Sequence, residues 1–184
     1  MLSADIETPR LVLSCLDEAH VTEVYRGWMS DPEVTRYLET RFVAPTIESL
    51  RGYVGAMRVS KDSYFFGMFS RLTGAHYGNI KLGPVSSVHG TAAVGLIIGD
   101  KTAWGAGYAS EAIGALSAWA FDTLNLDKLT AGSYQSNLGS IRAFEKNGFQ
   151  IEGVQRSHVR LADGGRDDVV LLGRTRTDSP GPLR

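Results

Sequence analysis

Trp104-Gly105-Ala106-Gly107-Tyr108-Ala109 sits between two readable stretches. Before it, Ala92 to Ile98 is almost continuously apolar and reads as a strand buried on both faces. After it, Ala109, Ala112, Ile113, Leu116, Trp119 and Ala120 fall on one face of an amphipathic helix. The order is therefore strand, glycine loop, helix. Glycine lets backbone N–H groups face outward with no side chain in the way. The helix start adds unpaired N–H donors and a partial positive charge. Together they form a cradle for a phosphate or pyrophosphate. A tight turn in which glycine only relieves strain would look the same, so the loop alone leaves both readings open.

Working outward, the chain reads as mixed α and β. Arg10 to Leu16 is a short strand that includes the apolar run Leu11-Val12-Leu13. Asp17 is placed to cap a helix whose stripe is Val21, Val24, Tyr25 and Trp28, and Asp31-Pro32 breaks it. Thr46 caps a second helix with the stripe Leu50, Tyr53, Val54 and Met57. Tyr64 to Ser70 and Ala75 to Leu82 are strands about a turn at 71–74, the second ended by Gly83-Pro84. Beyond the central helix come a strand from Leu129 to Tyr134 and a helix capped by Asn137, which turns Ile141 and Phe144 inward and stops at Gly148. Phe149 to Val154 is a further strand. His158 to Leu161 and Val169 to Gly173 form a last hairpin about Asp163-Gly164-Gly165. The final residues, 175–184, read as a flexible tail, leaving one domain over 1–174.

Bulk properties narrow the classes. The chain has 184 residues, 43% hydrophobic and 21% charged, which is globular composition. A net charge of -1 argues against general nucleic-acid binding. No apolar stretch approaches the ~20 residues of a membrane span, and the N-terminus shows no signal-peptide pattern. The single cysteine, Cys15, reads as a small buried hydrophobe, and a reducing, cytoplasmic setting fits it.

Two cofactor classes use a glycine cradle. A dinucleotide fold needs the loop after its first strand and an acidic residue closing the second. Here the loop follows several strands, and Asp127 precedes its strand instead of ending it. The other class is coenzyme A. The sequence resembles the GNAT superfamily of acyltransferases, in the branch of ribosomal-protein N-terminal acetyltransferases and nucleotide-amino-sugar acetyltransferases. Three ordered blocks carry the resemblance. They are Trp104 to Ala109 as a pyrophosphate loop, with Trp in the first position; Asn137-Leu138-Gly139-Ser140-Ile141-Arg142-Ala143-Phe144-Glu145-Lys146-Asn147-Gly148-Phe149; and the N-terminal Thr8-Pro9-Arg10-Leu11-Val12-Leu13 with Trp28 to Val34. The resemblance covers roughly residues 8 to 173.

The resemblance implies an α+β (α/β/α) fold: a mixed, mostly antiparallel twisted sheet with a splayed central strand pair and flanking helices. It implies acetyl-CoA as cosubstrate, with no metal. Pantetheine would lie in the splay against backbone groups of Leu96, Ile97 and Ile98. The pyrophosphate would sit on Trp104, Gly105, Ala106, Gly107, Tyr108 and Ala109. Asn137 would touch pantetheine, and Ser140 and Phe144 would border the thiol. The pattern also departs from the family at two places. Phe144 stands where many relatives place a proton-donating Tyr, and Ala93 where many place an acidic base. Ser140 and Tyr134 are the substitute acids. His89, in the loop before the apolar strand, is the first candidate base because histidine titrates near neutrality.

The expected acceptor is a primary amine. The pocket is framed by Arg36 to Phe42 and the last hairpin, with Arg36, Tyr37, Glu39, Arg41, Arg156 and His158 as its charged and polar groups. Gly78 to Pro84, with Lys81 and His89, resembles relatives that acetylate nucleotide-linked amino sugars. A protein N-terminus and a polyamine stay open as acceptors. So does a non-catalytic coenzyme A-binding module, and a homodimer is an open arrangement. No nucleic-acid or membrane partner is expected.

Overall fold

The computed structural model describes residues 5–178. Eight strands form one sheet: β1 (Ile6–Glu7), β2 (Leu11–Cys15), β3 (Tyr64–Ser70), β4 (His76–Ser86), β5 (Thr91–Ile98), β6 (Lys128–Tyr134), β7 (Gln150–Arg160) and β8 (Arg166–Thr175). Their order is β1-β2-β3-β4-β5-β6-β8-β7. Every neighbouring pair is antiparallel except β5 and β6. A parallel pair needs a crossover, and the helix α3 (Tyr108–Asp122) supplies it. The mixed sheet with flanking helices is the architecture expected from the sequence.

The two faces of the sheet are covered by different helices. Strand residues alternate between faces, and β3 shows both sides. Phe66 and Met68 enter the larger core, where Ile113, Leu116 and Ala120 of α3 pack beside Phe144 of α4 (Leu138–Glu145). Phe65 and Phe69 face a second core formed by Val21, by Tyr25 and Trp28 of α1 (Glu23–Ser30), and by Leu50 and Val54 of α2 (Ile47–Val59). Ile113 and Leu116 are wholly buried. Such side chains contribute about 1.5–3 kcal/mol each by leaving water.

The caps explain the helix starts. Thr46 and Ser49 bond each other's backbone N–H, a reciprocal cap that begins α2. Asn137 accepts from Ser140 N at 3.3 Å and begins α4. Asp17 caps only a single 3₁₀ turn, Glu18–His20, and Thr22 caps α1 instead. Val24, in the first turn of α1, is 65% exposed, and Val21, Tyr25 and Trp28 are the buried residues.

Other expectations are corrected. Cys15 is exposed although alternation gives it the same face as Leu11 and Leu13, because it is the last residue of β2. Gly83-Pro84 does not end β4. The register shifts there, between Leu82 and Val85, and pairing with β5 resumes through Ser86. β5 is not buried on both faces, since Ala93 and Gly95 are exposed between Ala92, Val94 and Leu96. β7 is one long strand, bent by register shifts, where two were expected. Thr175 still belongs to β8, and Arg176 donates from its backbone to Asp127 O and from its side chain to Leu126 O. Of the expected tail, residues 179–184 lie outside the described residues.

Candidate active site

The site begins with a gap in the sheet. β5 bonds to β4 along its length but meets β6 only at Thr91, Ala92 and Ala93. Beyond Ala93 the strands diverge. Alternation fixes which backbone groups are left free. Gly99 N donates to Tyr77 O on the β4 side, so Ile97 and Gly95 face β4 as well. Thr130 reaches Ala92 O from β6, so Val94, Leu96 and Ile98 turn their N–H and C=O into the gap. Of the three residues expected here, Leu96 and Ile98 have backbone groups facing the gap, whereas Ile97 lines the cleft but its backbone belongs to the ladder with Asn79. One of the free acceptors is already taken, because Trp104 Nε1 donates to Ile98 O at 2.9 Å.

Gly99 makes this end of β5 possible in another way. A Cβ there would lie 2.2 Å from the Trp28 indole, so only glycine lets α1 press against the chain. Past it, Gly107 adopts φ 82° as the residue before α3, with no side-chain cap. The first N–H groups of α3 are left for a ligand, and Gly107 occupies a left-handed conformation that a side chain would strain. Gly105 is also left-handed, at φ 74°.

These elements surround a cleft of about 680 Å³. Its lining joins Leu96 and Ile98 to Trp104, Gly105, Gly107, Tyr108 and Ala109, and to Tyr134, Asn137, Ser140 and Phe144. Of the loop, Ala106 alone stays out of the lining. Phe144 is buried and meets the Phe149 ring edge-on at 4.9 Å, so it is a wall of the cleft. The charged lining residues are Glu33, Arg36, Arg142 and Lys146, and Glu33 is already bonded to Lys101 at 3.0 Å. The surplus is cationic. A pyrophosphate and a further phosphate ester fit that charge, and a β-strand-like amide chain fits the free groups of Val94, Leu96 and Ile98. The residues present therefore suit coenzyme A.

Another part of the cleft wall is built on Tyr134. Its hydroxyl donates to Glu39 Oε1 and accepts from Arg41 Nη1 at 2.9 Å. Burial pushes its pKa up, the Glu39 carboxylate pushes it further, and Arg41 opposes both. The Arg41 side chain is only 6% exposed, lies over the Phe42 ring at 4.1 Å and also donates to Leu38 O and Arg160 O. Tyr37 packs edge-on against Tyr134 at 5.7 Å.

Several expected residues stay away. His89 is exposed in the turn before β5, with its backbone N–H on Ser86 Oγ. At ~3.4 Å per residue, the strand carries Leu96 about 17 Å beyond Thr91, so His89 is at the wrong end of β5 to serve the cleft. Lys81 lies mid-strand in β4 and is absent from the lining, as are Arg156 and His158, both exposed on β7. The Glu39–Tyr134–Arg41 cluster was not assembled by the sequence reading, which held its members in separate roles. Among the described residues, no cluster of His, Cys, Asp or Glu is placed to hold a metal, and no helix is long and apolar enough to cross a membrane.

A split mixed sheet with a glycine-started helix at the split defines a class of acyl-coenzyme A-binding domains. Comparison with known proteins agrees. Residues 10–150 match the family model for the acetyltransferase (GNAT) domain. The protein named "Probable N-acetyltransferase YjcK" from Bacillus subtilis (strain 168) is 35% identical over 118 residues, 62% of this chain and 64% of that one, just under two thirds of its length. The "Uncharacterized N-acetyltransferase p20" from Bacillus licheniformis is 27% identical over 95% of this chain and 97% of its own. The solved structure of RimL, the ribosomal L7/L12 alpha-N-protein acetyltransferase in complex with coenzyme A, shares the fold with a TM-score of 0.83 at 18% identity, covering 94% of this chain and 98% of that one. The chain belongs to the GNAT acetyltransferase family, whose acyl donor is acetyl-CoA.

Proposed function

We propose that the protein transfers the acetyl group of acetyl-CoA to a small primary amine that also carries an anionic group, such as a nucleotide-linked amino sugar. One observation carries the acceptor class: the exposed Arg36 lines the cleft without an ion pair among the described residues. An unpaired guanidinium there repels a polyamine and attracts a phosphate or carboxylate. We place the chain in the cytoplasm on its cysteine usage, a lone exposed thiol with no partner in the sequence.

Acetyl-CoA supplies an activated acyl group as a thioester. The free N–H groups of Leu96 and Ile98 hold a donor in the gap and stabilise charge developing on a carbonyl oxygen there. Tyr134 then moves the amine proton. Its oxygen accepts from the amine as its own hydrogen passes to Glu39, and Arg41 offsets the negative charge. The raised pKa keeps the phenol neutral between turnovers, so no phenolate has to form first. Ser140 lines the cleft at the start of α4, and its hydroxyl hydrogen-bonds the departing thiolate, a stable anion that takes its proton from solvent. Phe144 has no proton to give.

A turnover assay with acetyl-CoA against nucleotide-linked amino sugars, free amino sugars, spermidine and an N-terminal peptide tests the proposal. The anionic amines should be acetylated with the highest kcat/KM, and Arg36→Glu should invert that order toward spermidine. Preference for spermidine or the peptide in the wild type overturns the acceptor class. Coenzyme A binding with no turnover on any amine indicates a binding module instead.

A further inference from the structure

Arg10 and Glu111 meet across the pyrophosphate loop. Glu111 stands in the first turn of α3, and its side chain is only 13% exposed. Its carboxylate accepts from Thr8 Oγ1 at 2.6 Å, from Arg10 N at 2.8 Å and from Arg10 Nε at 2.6 Å. The Arg10 guanidinium then reaches on, donating from Nη1 to Ala106 O at 2.9 Å. It lies over the Tyr108 ring at 4.4 Å, and Tyr108 in turn stacks on Tyr77 at 4.9 Å. Arg10 Nη2 lies 3.6 Å from where a Cβ on Gly107 would be. One side chain thus ties the middle of the loop, the first helical turn and the edge of the sheet.

The arrangement poses an electrostatic question. A carboxylate in the first turn competes with a phosphate for the same helix end. If Glu111 only stabilised α3, it would weaken the cosubstrate site beside it. We infer that Arg10 and Glu111 form a brace that fixes the shape of the pyrophosphate loop, making Arg10 a positioning residue for acetyl-CoA. Glu111 holds the guanidinium plane. That plane clamps Ala106 O, and Gly107 is kept in the left-handed conformation that leaves the α3 N–H groups bare. Lysine lacks the planar fork and cannot hold Glu111 and Ala106 O together.

The inference rests on the acetyl-CoA reading and goes beyond it. Calorimetric titration with coenzyme A and with pantetheine, which lacks the pyrophosphate, separates the two. Wild-type protein that binds no coenzyme A sinks the cosubstrate reading itself. With wild-type binding in hand, Arg10→Ala should weaken coenzyme A by about 10–100-fold, the scale of a charged hydrogen bond, and leave pantetheine unchanged. Arg10→Lys should behave like Arg10→Ala. Unchanged coenzyme A affinity in Arg10→Ala, or equal loss for both ligands, overturns the brace, and so does full recovery by lysine. Glu111→Gln gives an independent answer should Arg10→Ala not fold. Simple charge removal predicts tighter coenzyme A binding in that variant, whereas a loosened brace predicts weaker. Tighter or equal binding overturns the inference.

Discussion

On Tyr134 the hydroxyl oxygen gives its hydrogen to Glu39, takes one from Arg41 and keeps a lone pair toward the cleft. Removing that oxygen should remove the proton path and little else. Tyr134→Phe should lower kcat by roughly 10²–10⁴-fold, the usual weight of general acid–base groups, with coenzyme A affinity unchanged. Glu39→Gln should fall in the same range, and the double variant should be no slower than either single one, because the groups act as a unit. Steady-state kinetics on the four proteins closes the cycle, and additive losses would break the relay. At this scale the sequence showed which residues but not which neighbours. Ser140 was named from its block and Tyr134 from its place at the end of a splayed strand. Glu39 and Arg41 meet Tyr134 across 95 and 93 residues, a distance no local pattern encodes.

At the start of β4, against α1, stands a half-buried histidine. His76 stacks on Phe69 at 4.5 Å, meets the Trp28 ring edge-on at 5.0 Å, and directs Nε2 at Gly78 O and Asn79 Oδ1. Both partners are acceptors, so Nε2 carries the hydrogen. Burial lowers the His76 pKa, the two hydrogen bonds raise it in part, and His20 nearby lowers it again. The unfolded chain therefore takes up this proton more readily than the native one, and stability rises with pH through the histidine range. Urea unfolding followed from pH 5 to 8 should show stability falling as pH drops below about 6.5, the ordinary histidine value. His76→Gln should flatten that slope, and an unchanged slope would assign it elsewhere. The helices and strands themselves were mostly legible, because periodicity and caps are local. The exceptions were local competitions: Thr22 outcompeting Asp17 as the cap of α1, and a register shift carrying β4 past Pro84.

Across the whole molecule, the cleft and the His89 turn stand at opposite ends of β5. His89→Ala should therefore keep wild-type kcat and KM within about twofold, since surface changes away from a site cost little. A large loss in kcat would mean that the turn reaches the cleft during turnover. Sequence proximity suggested the opposite, because His89 is near Ala93 along the chain, and where β5 parts from β6 is set by long-range pairing that no local pattern shows. The order of the three motif blocks, by contrast, already placed loop, helix and cleft wall together. The split in the sheet has a mechanical side. Five strands lie on one side and three on the other, sewn together in register at Thr91, Ala92 and Ala93, with the N–H groups of Asp127 and Lys128 on Gly90 O at the end of the seam. That seam leaves the two halves of the sheet joined by few backbone bonds, and in the proposed reading a pantetheine arm would lie along it like a thread closing an open stitch. Bound cosubstrate would then stiffen the sheet by bridging its two halves, and the amide hydrogens of Leu96 and Ile98 would register that tightening first.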